Sequence, residues 1–509
     1  MQLGIDFGTT RTVVAMADRG NYPVVDFVDQ HGDAQSAIPS MVAAKDGELR
    51  FGFDAMAVAT DPAWAVLPSF KRLFASEYAR PAFGGSTTGA GASYPVRVGD
   101  TTIAFGDLLE RFFVHVLALV KKRVRSKSTV VRAAVAVPAN ALGAQRLVTL
   151  DAFRRAGFDA FAMLNEPSAA GFEYTHRHRG TISSRRDLVV VYDLGGGTFD
   201  ASAVRMTGTT HEVLATAGLP RLGGDDFDEV LARTALLEVD LDLAELPSRA
   251  RRMLLAQCRD SKEALHPSSR KIVVDLEAAL GKIAPKPEVV VPTADYYDAC
   301  LPLVERTIAV MEPLLAAENE LAGIYVVGGA SELPVVARVL RERFGRRVHR
   351  SPYPSAAVAI GLAIAADTDA ELTLVDRYAR TFGVFRESDA GRGVTFDAIF
   401  APDTALPSRA APLTRTREYR AAHNVGHYRF FECSALDAAG KPRGDMTLFG
   451  DVHFPFDANV EAAATTPVER LFREGPRIEE SYSLDERGIV EVVIRNLDQG
   501  YERSFKLGA

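Results

Sequence analysis

The sequence has few cysteines and no long apolar run. Its 509 residues include three cysteines, Cys258, Cys300 and Cys433, which are far apart and lack a Cys-x-x-Cys spacing. This pattern predicts neither a disulfide framework nor a cysteine-ligated zinc site, and it fits a reducing compartment. No apolar run reaches the roughly 20 residues that a membrane span needs, and the N-terminus lacks the basic and apolar segments of a secretory signal. We therefore expect a cytoplasmic protein that is not associated with a membrane.

The sequence also lacks an excess of positive charge. Its formal net charge is -7, with 25% charged and 47% hydrophobic residues, which is the composition of a soluble globular protein. Nucleic acid is therefore not expected as a partner, and the basic stretch at residues 121–127 is interpreted as the solvated end of a helix. The length allows several domains and a deep cleft between them.

What the sequence does contain is an acidic, glycine-rich turn between two apolar runs, at residues 187–205. The apolar run that begins at Leu188 is typical of a strand buried on both faces. Gly195, Gly196 and Gly197 would let backbone amides approach an anion. Asp193 and Asp200 would lie beside that anion, an arrangement that favours a divalent cation, most plausibly Mg²⁺, between them. The stretch predicts a nucleotide site.

A second turn of the same kind opens the chain, where Asp6-Phe-Gly-Thr-Thr10 separates two apolar stretches. A single turn of this composition could be an ordinary hairpin turn. Two copies at matching places in successive α/β units favour a pair of phosphate-binding turns. Between them, a strand is predicted to deliver Asn165-Glu166-Pro167 at its carboxyl end, where ligands lie in open α/β sheets.

Strands and helices are predicted to alternate through residue 366, which indicates an α/β architecture in two similar halves. Further glycine turns occur at residues 222–228 and 327–331, and a glycine-rich tract at residues 84–91 is interpreted as a loop. After Asp367 the helical pattern fades, and residues 371–376 form a short acidic and apolar connector. The segments at residues 428–433, 478–484, 488–494 and 501–507 are typical of strands and predict an all-β, sandwich-like domain.

Together these motifs resemble, in order and spacing, the actin-like ATPases and, among them, the seventy-kilodalton heat-shock chaperones of the DnaK type. The motifs that carry the resemblance are Gly4-Ile-Asp-Phe-Gly-Thr-Thr10, Phe70-Lys-Arg-Leu73, Val137-Pro-Ala139, Asn165-Glu-Pro167, Asp193-Leu-Gly-Gly-Gly-Thr-Phe-Asp200, Leu222-Gly-Gly-Asp-Asp-Phe-Asp228 and Val327-Gly-Gly-Ala330. The resemblance implies a two-lobed actin-like ATPase domain with duplicated ribonuclease-H-like halves at residues 1–367, a linker at 368–376, and a β-sandwich-like peptide-binding domain at 377–509. We expect a short member without the family's C-terminal helical lid.

The resemblance also implies residue roles. Lys71 would position the attacking water: taken alone, a lysine in a basic helix favours a surface position, but among the other motifs the catalytic role is favoured. Catalytic roles would fall to Lys71, Glu166, Asp193 and Thr198, and Mg²⁺ would be held, largely through water, by Asp6, Glu166, Asp193 and Asp200. ATP or ADP would be bound by Gly8, Thr9, Thr10, Gly195, Gly196, Gly197, Thr198, Gly223, Gly224, Lys262, Gly328, Gly329 and Ala330, with K⁺ as an optional further ion. Pro138 and Arg154 resemble the relay between the two domains.

Three features depart from the family pattern. Arg259 and His266 stand where the family commonly has Glu and Ser, which leaves the selectivity for the base open. The connector has fewer leucines than the family's linker, so interdomain coupling is also open. Without a lid, a bound peptide should escape faster, because affinity differences reside mostly in the off-rate.

The function expected from these features is that of an ATP-dependent chaperone, in which slow ATP hydrolysis modulates the binding of unfolded or apolar peptide segments. A J-domain co-chaperone and a nucleotide exchange factor are possible partners, and a role in protein folding or the stress response would follow. The main alternative is a nucleotide-regulated binding module for a specific protein client, with little or no ATP turnover. A filament-forming relative of actin and a small-molecule kinase fit the motifs less well.

Overall fold

A computed structural model describes residues 1–75, 94–124, 130–139, 141–315, 320–370, 373–402, 404–408, 411–456, 460, 463–472 and 474–507. The loop predicted at residues 84–91 lies outside the described residues, as do the end of the basic stretch, residues 125–127, and the first two residues of the connector, 371 and 372. The molecule contains two α/β halves followed by two antiparallel sheets.

The first half is built on a five-stranded sheet. Its elements are β1 (Gln2–Phe7), β2 (Arg11–Met16), β3 (Phe27–Val28), β4 (Ala34–Gln35), β5 (Ile38–Pro39), β6 (Met41–Lys45), β7 (Glu48–Phe51), α1 (Gly52–Ala57), β8 (Ala65–Pro68), β9 (Pro95–Val98), β10 (Thr101–Ala104), α2 (Phe105–Val124), β11 (Val131–Val137), α3 (Gly143–Arg155), β12 (Phe158–Asn165) and α4 (Glu166–His178). The strand order is β12-β11-β1-β2-β5, in which β12, β11 and β1 are parallel and β2 and β5 are antiparallel.

The second half repeats this arrangement. Its elements are β13 (Leu188–Leu194), β14 (Phe199–Thr207), β15 (Thr210–Leu219), α5 (Gly224–Leu237), α6 (Ser248–Glu263), β16 (Lys271–Asp275), α7 (Leu276–Leu280), β17 (Glu288–Pro292), α8 (Thr293–Met311), β18 (Leu321–Val327), α9 (Pro334–Phe344), β19 (Val348–Arg350), α10 (Ala357–Ala366) and β20 (Thr373–Val375). The sheet order is β19-β18-β13-β14-β15-β20, again with three parallel strands followed by two antiparallel ones. The predicted duplication of the α/β halves is confirmed.

Local sequence explains the central elements. Every residue of β13 is buried, as expected for an apolar run in the middle of a sheet. The apolar residues of α2 recur at helical spacing and are buried on one face. The helical region expected to extend to about residue 265 consists of two helices, α5 and α6. Residues 70–74, expected to be helical, lie in a short 3₁₀-helix, Phe70–Ala75.

Helix α10 joins the two halves at the base of the cleft. A Cβ atom at Gly361 would lie 1.7 Å from the carbonyl oxygen of Ala169 in α4, and one at Gly4 in β1 would lie 2.2 Å from the carbonyl oxygen of Ala359. Backbone therefore touches backbone at both positions, which only glycine permits. An apolar cluster shared by the two halves surrounds this helix.

The C-terminal part is a sandwich of two four-stranded antiparallel sheets. Its strands are β21 (Thr381–Ser388), β22 (Gly393–Phe400), β23 (Leu413–Arg420), β24 (Val425–Leu436), β25 (Pro442–Pro455), β26 (Arg477–Leu484), β27 (Val490–Asn496) and β28 (Tyr501–Lys506). The sheets have the orders β22-β21-β24-β25 and β23-β26-β27-β28 and share one core, in which Phe382 and Phe430 contact Tyr482. The predicted fold class is confirmed.

The connector is part of the second half. Strand β20 pairs in parallel with β15, from Thr210↔Thr373 to Glu212↔Val375, and so forms an edge of the six-stranded sheet. No helix in the described part of the chain combines the length and the apolarity that crossing a bilayer requires.

Candidate nucleotide site

A cavity of about 910 Å³ lies between the two halves, in the size range of small-molecule sites. Most of the residues predicted for the nucleotide and metal line it: Asp6, Gly8, Thr9, Thr10, Lys71, Glu166, Asp193, Gly195, Gly196, Thr198, Gly224, Lys262, Gly328, Gly329 and Ala330. Three others, Gly197, Gly223 and Asp200, lie directly behind this lining. The chain thus brings residues from 6 to 330 into one cleft.

The two glycine turns meet across the cleft. A Cβ atom at Gly196 would lie 2.7 Å from the hydroxyl oxygen of Thr10, and one at Gly197 would lie 3.0 Å from that of Thr9. Any side chain there would fill the space between the turns. The bare backbone of one turn and the hydroxyls of the other therefore form a single polar cradle, of the kind that binds phosphates.

A third glycine turn supports the second. The amide of Gly224 donates to the carbonyl oxygen of Gly195 at 2.9 Å, and the amide of Asp225 donates to that of Gly196 at 2.8 Å. A Cβ atom at Gly223 would lie 2.5 Å from the nitrogen of Gly197. The start of α5 thereby holds the triple-glycine turn against the cleft.

Four carboxylates surround Lys71. The Nζ of Lys71 donates to Oε1 of Glu166 at 2.8 Å, and their side chains are only 11% and 10% exposed. Glu166 opens α4 immediately after β12. Asp193 and Asp200 lie directly opposite each other on the antiparallel strands β13 and β14. Asp6 is on β1, and it raises the pKa of Lys71 by electrostatic attraction.

The acidic groups of this cluster have raised pKa values. Burial and the charge of Glu166 raise the pKa of Asp6 to about 7, against the lowering effect of Lys71. The same two causes raise the pKa of Asp200 to about 7. Burial and the neighbouring carboxylates raise the pKa of Asp193 well above its ordinary value. Burial alone would lower the pKa of Lys71, but the attraction of Glu166 and Asp6 raises it, so the lysine is charged.

The end of the cavity that the sequence predicts for the nucleoside is charged. The Nζ of Lys262 donates to the carbonyl oxygen of Gly224 at 2.8 Å and lies 2.5 Å from Oδ1 of Asp228. Arg259 is paired with Asp225 at 2.6 Å and with Asp228 at 3.1 Å, and His266 lines the cavity beyond it. The ammonium group of Lys262 is therefore held by hydrogen-bond acceptors. The positive charge of Arg259, which stands where the family commonly has Glu, is neutralised by acidic residues of α5.

Comparison with known proteins gives a consistent result. The model of the family described as Hsp70 protein matches residues 2–416. This chain belongs to the Hsp70 family. It is 30% identical to a chaperone protein HscA homolog of Pseudomonas fluorescens, in an alignment that covers the whole chain and 77% of that protein. It is 32% and 33% identical to HscA homologs of Burkholderia thailandensis and Burkholderia multivorans, over 72% of this chain and 58% of each relative. Hsp70 proteins are ATPases that bind ATP or ADP with Mg²⁺.

The cleft of this Hsp70 protein fits a magnesium nucleotide. Burial and the neighbouring carboxylates raise the pKa values of Asp6, Asp193 and Asp200, so a bound cation would offset the cost of keeping these groups ionised in the cleft. Carboxylate oxygens and water are the ligands that Mg²⁺ prefers. The cradle formed by the glycine turns has the exposed backbone that a phosphate chain needs. The donor set and the cradle therefore suit the two parts of the same ligand.

Sequence reasoning missed an ion pair that crosses this Hsp70 cleft. The Nε of Arg72, next to Lys71, lies 3.0 Å from Oδ2 of Asp225, and its Nη2 lies 3.4 Å from Asp226. Arg72 belongs to the first half, and Asp225 and Asp226 to α5 of the second. Both partners of this ion pair lie in motifs identified from the sequence, Phe70–Leu73 and Leu222–Asp228. The complementary charges of the two motifs are the signal that could have predicted the pair.

Sequence reasoning also missed a buried arginine, Arg146, which is linked to the connector. Arg146 on α3 donates to Oδ1 of Asn165 at 2.5 Å, and Asn165 donates to Oδ1 of Asp376 at 2.8 Å. Burial lowers the pKa of Arg146, and the charge of Asp376 counteracts this. Arg154, which the sequence suggested as a relay, is on the same helix, and its pKa is lowered by burial and by Arg487 of the sandwich.

The sandwich of this Hsp70 protein also contacts α3 directly. The amide of Gly143 donates to Oε2 of Glu432 on β24 at 2.9 Å, and Tyr378 donates to Oε1 of the same carboxylate at 2.5 Å. Arg146 donates to the carbonyl oxygen of Arg487 at 3.3 Å. The first half, the connector and the sandwich thus share one buried polar network.

Proposed function

We propose that this protein is an ATP-dependent chaperone in which ATP binding and hydrolysis in the cleft modulate the binding of apolar peptide segments by the sandwich. The proposed domains are residues 1–367 for the ATPase, 368–376 for the linker and 377–509 for peptide binding. The observation that carries the proposal is the facing pair of glycine turns with four carboxylates around Lys71. Family membership and the chaperone names of the relatives support it.

In the proposed mechanism the glycine turns hold the phosphates and the carboxylates hold the metal. Bound Mg²⁺ would supply positive charge that neutralises the phosphates and the crowded carboxylates. Gly196 and Gly197 offer backbone amides, and Thr9 and Thr10 offer hydroxyls, whereas the amide of Gly195 already donates to the carbonyl oxygen of Thr198 at 3.0 Å. Asp6, Glu166, Asp193 and Asp200 would hold the metal, largely through its waters.

Lys71 positions the water that attacks the terminal phosphate. Its ammonium group is held by Glu166, which leaves two further N–H donors for that water. Thr198, after the third glycine, also lines the cavity, and its side chain is hydrogen-bonded to Asp200. Phosphoryl transfer to water depends on positioning and charge neutralisation rather than on covalent help, so these groups suffice.

The buried network around Asp376 supports coupling between the domains. Asp376 accepts from Asn165, which precedes Glu166 of the metal site by one residue. A change at the nucleotide that moves the start of α4 would therefore move the donor that holds the connector. The sandwich is hydrogen-bonded to α3 through Glu432, so its contact with the first half would weaken or strengthen as the nucleotide changes. Family members bind client peptides and J-domain co-chaperones. A J-domain partner, an exchange factor, K⁺ binding and a cytoplasmic location remain parts of the proposal for this chain.

The proposal is tested with a fluorescent apolar heptapeptide. Its off-rate from the full chain should be faster with ATP than with ADP, both with Mg²⁺. A heptapeptide of the same length with charged residues serves as the control and should not bind. Identical off-rates in the two nucleotides, or no binding of the apolar peptide, would instead favour a binding module for one specific client.

A further inference from the structure

Two histidines and an aspartate converge on the outer face of the sandwich, far in sequence from the nucleotide motifs. His427 is on β24, and Asp451 and His453 are on β25. His427 is directly opposite His453 in the register, and Asp451 is two residues earlier on the same strand and therefore on the same face. Among the described residues these three form the group whose ligand atoms all lie within 4.8 Å of one another.

The distances suit a small cation. The Nε2 of His427 is 2.7 Å from Oδ1 of Asp451, and the Nδ1 of His453 is 3.6 Å from the same oxygen. In a tetrahedral zinc site with bonds of about 2.0–2.1 Å, neighbouring ligand atoms are about 3.4 Å apart. The observed spacings lie on both sides of that value, and the 2.7 Å contact is a hydrogen bond between His427 and Asp451, so the imidazole rings have to turn for all three atoms to coordinate one ion.

The site is built on rigid positions and is open on one side. The neighbours of these residues along the strands, such as Tyr428 and Val452, are buried in the sandwich core, so the backbone is fixed. The imidazole rings are stacked, with centroids 4.1 Å apart and an angle of 17° between their planes. Because β25 is an edge strand and the three side chains are about one quarter to one third exposed, water can complete the coordination.

We propose that His427, Asp451 and His453 bind a divalent transition-metal ion, with Zn²⁺ as the ion that best fits the set. Two imidazoles with one carboxylate suit Zn²⁺ rather than Mg²⁺ or Ca²⁺, which prefer oxygen ligands. The bound ion would connect β24 to β25 at the edge of the sheet. This site is independent of the proposed chaperone function.

The test is a calorimetric titration of Zn²⁺ into the untagged full chain, with saturating ADP and Mg²⁺ present so that the carboxylates of the cleft are occupied. One equivalent should bind, and His427→Ala or His453→Ala should weaken binding by at least about tenfold, the lower range measured for changes around zinc sites. His423→Ala is the matched control, since His423 of the same domain faces a single carboxylate, Glu387, at 3.4 Å. It should leave Zn²⁺ binding unchanged.

Two further readouts keep the test independent of folding. Co²⁺ should give the intense visible absorption of a four-coordinate site in the wild type, and this band should be lost in Asp451→Asn. Zn²⁺ should raise the unfolding temperature of the wild type and of His423→Ala, but not that of His427→Ala. Each variant is first shown to bind ADP normally. Absence of Zn²⁺ binding by the wild type, or equal binding by the wild type and both histidine variants, would overturn the proposal.

Discussion

Replacing Lys71 by alanine tests the proposed catalytic centre most directly. The ammonium group of Lys71 is 2.8 Å from Glu166, and both side chains are almost fully buried, so solvent screens their interaction little. Mutations that remove one preorganised polar group from an active site reduce the rate constant by about 10²–10³, or about 2.7–4 kcal/mol. We expect a loss of this size in single-turnover ATP hydrolysis by Lys71→Ala, with ATP binding retained.

The same variant should also change stability in a pH-dependent way. Removing one partner of a buried ion pair costs about 3–5 kcal/mol. The pKa values of Asp6 and Asp200 are about 7 in the folded protein, against an ordinary value of 3.8, so their deprotonation destabilises the fold increasingly as the pH rises from about 4 to about 7. Without Lys71 these pKa values should rise further. At pH 6 the protons that these carboxyls already hold limit the effect of losing the ammonium charge, whereas at pH 8 the wild type relies on that charge and its loss costs more free energy.

The measurements are urea unfolding of the nucleotide-free protein at pH 6 and pH 8, calorimetric ATP binding, and rapid-quench hydrolysis. Lys71→Ala should lose more free energy of unfolding, relative to wild type, at pH 8 than at pH 6. Lys282→Ala, at an exposed lysine, is the control and should change none of these quantities. Normal hydrolysis by Lys71→Ala would remove the residue from the mechanism, and an equal stability loss at both pH values would refute the electrostatic reasoning.

Three other substitutions probe the cleft and its coupling. Asp193→Asn removes a buried carboxyl group, whose pKa is raised well above its ordinary value by burial. It should therefore raise the unfolding temperature of the nucleotide-free protein at pH 8 while weakening MgADP binding. A lower unfolding temperature in scanning fluorimetry would contradict this. Arg72→Ala should speed ADP release, measured by stopped flow with a fluorescent analogue. It should cost less than about 1 kcal/mol of stability, because Arg72, which pairs with Asp225, is 41% exposed. Unchanged ADP release would show that this pair does not restrain the cleft. Asp376→Ala should make peptide off-rates equal in ATP and ADP, because the buried Arg146 loses its nearby carboxylate. If ATP still accelerates peptide release, the network around Asp376 does not couple the two domains.

The local motifs were predictable from sequence because their chemistry is local. The strands and the glycine turn around Asp193 follow from a continuous apolar run and from residues that tolerate close backbone contact. The helix α9 was predicted at its observed bounds, Pro334–Phe344, because proline starts it and Gly345 with a φ of 60° follows it.

The β domain was less predictable. Four of its eight strands, β21, β22, β23 and β25, were not predicted, since their polar outward residues and bulges obscure the alternation. In β27, Val490, Val492 and Ile494 point into the core, whereas Glu491, Val493 and Arg495 on the other face are partly exposed. Both faces carry apolar residues, so the pattern alone could not decide which one is buried.

Contacts between distant segments could not be predicted at all. Arg146 and Asp376 are 230 residues apart (376 − 146), and nothing local to either indicates its partner. The convergence of His427 with His453 likewise depends on the register of β24 and β25. Such pairings are consequences of the topology, and they become visible only when the strands are placed.

The contacts of α10 determine how the cleft can open. At its base, Gly4 and Gly361 allow backbone to touch backbone, so the two halves cannot slide past each other there without collision. At its mouth, the halves are connected by two ion pairs whose arginines are partly exposed, Arg11 with Glu263 and Arg72 with Asp225. The two halves are therefore packed tightly at the base of the cleft and held weakly at its mouth. Added salt screens the ion pairs at the mouth but does not affect the packing at the base. It should therefore speed the release of nucleotide without lowering the stability of the fold.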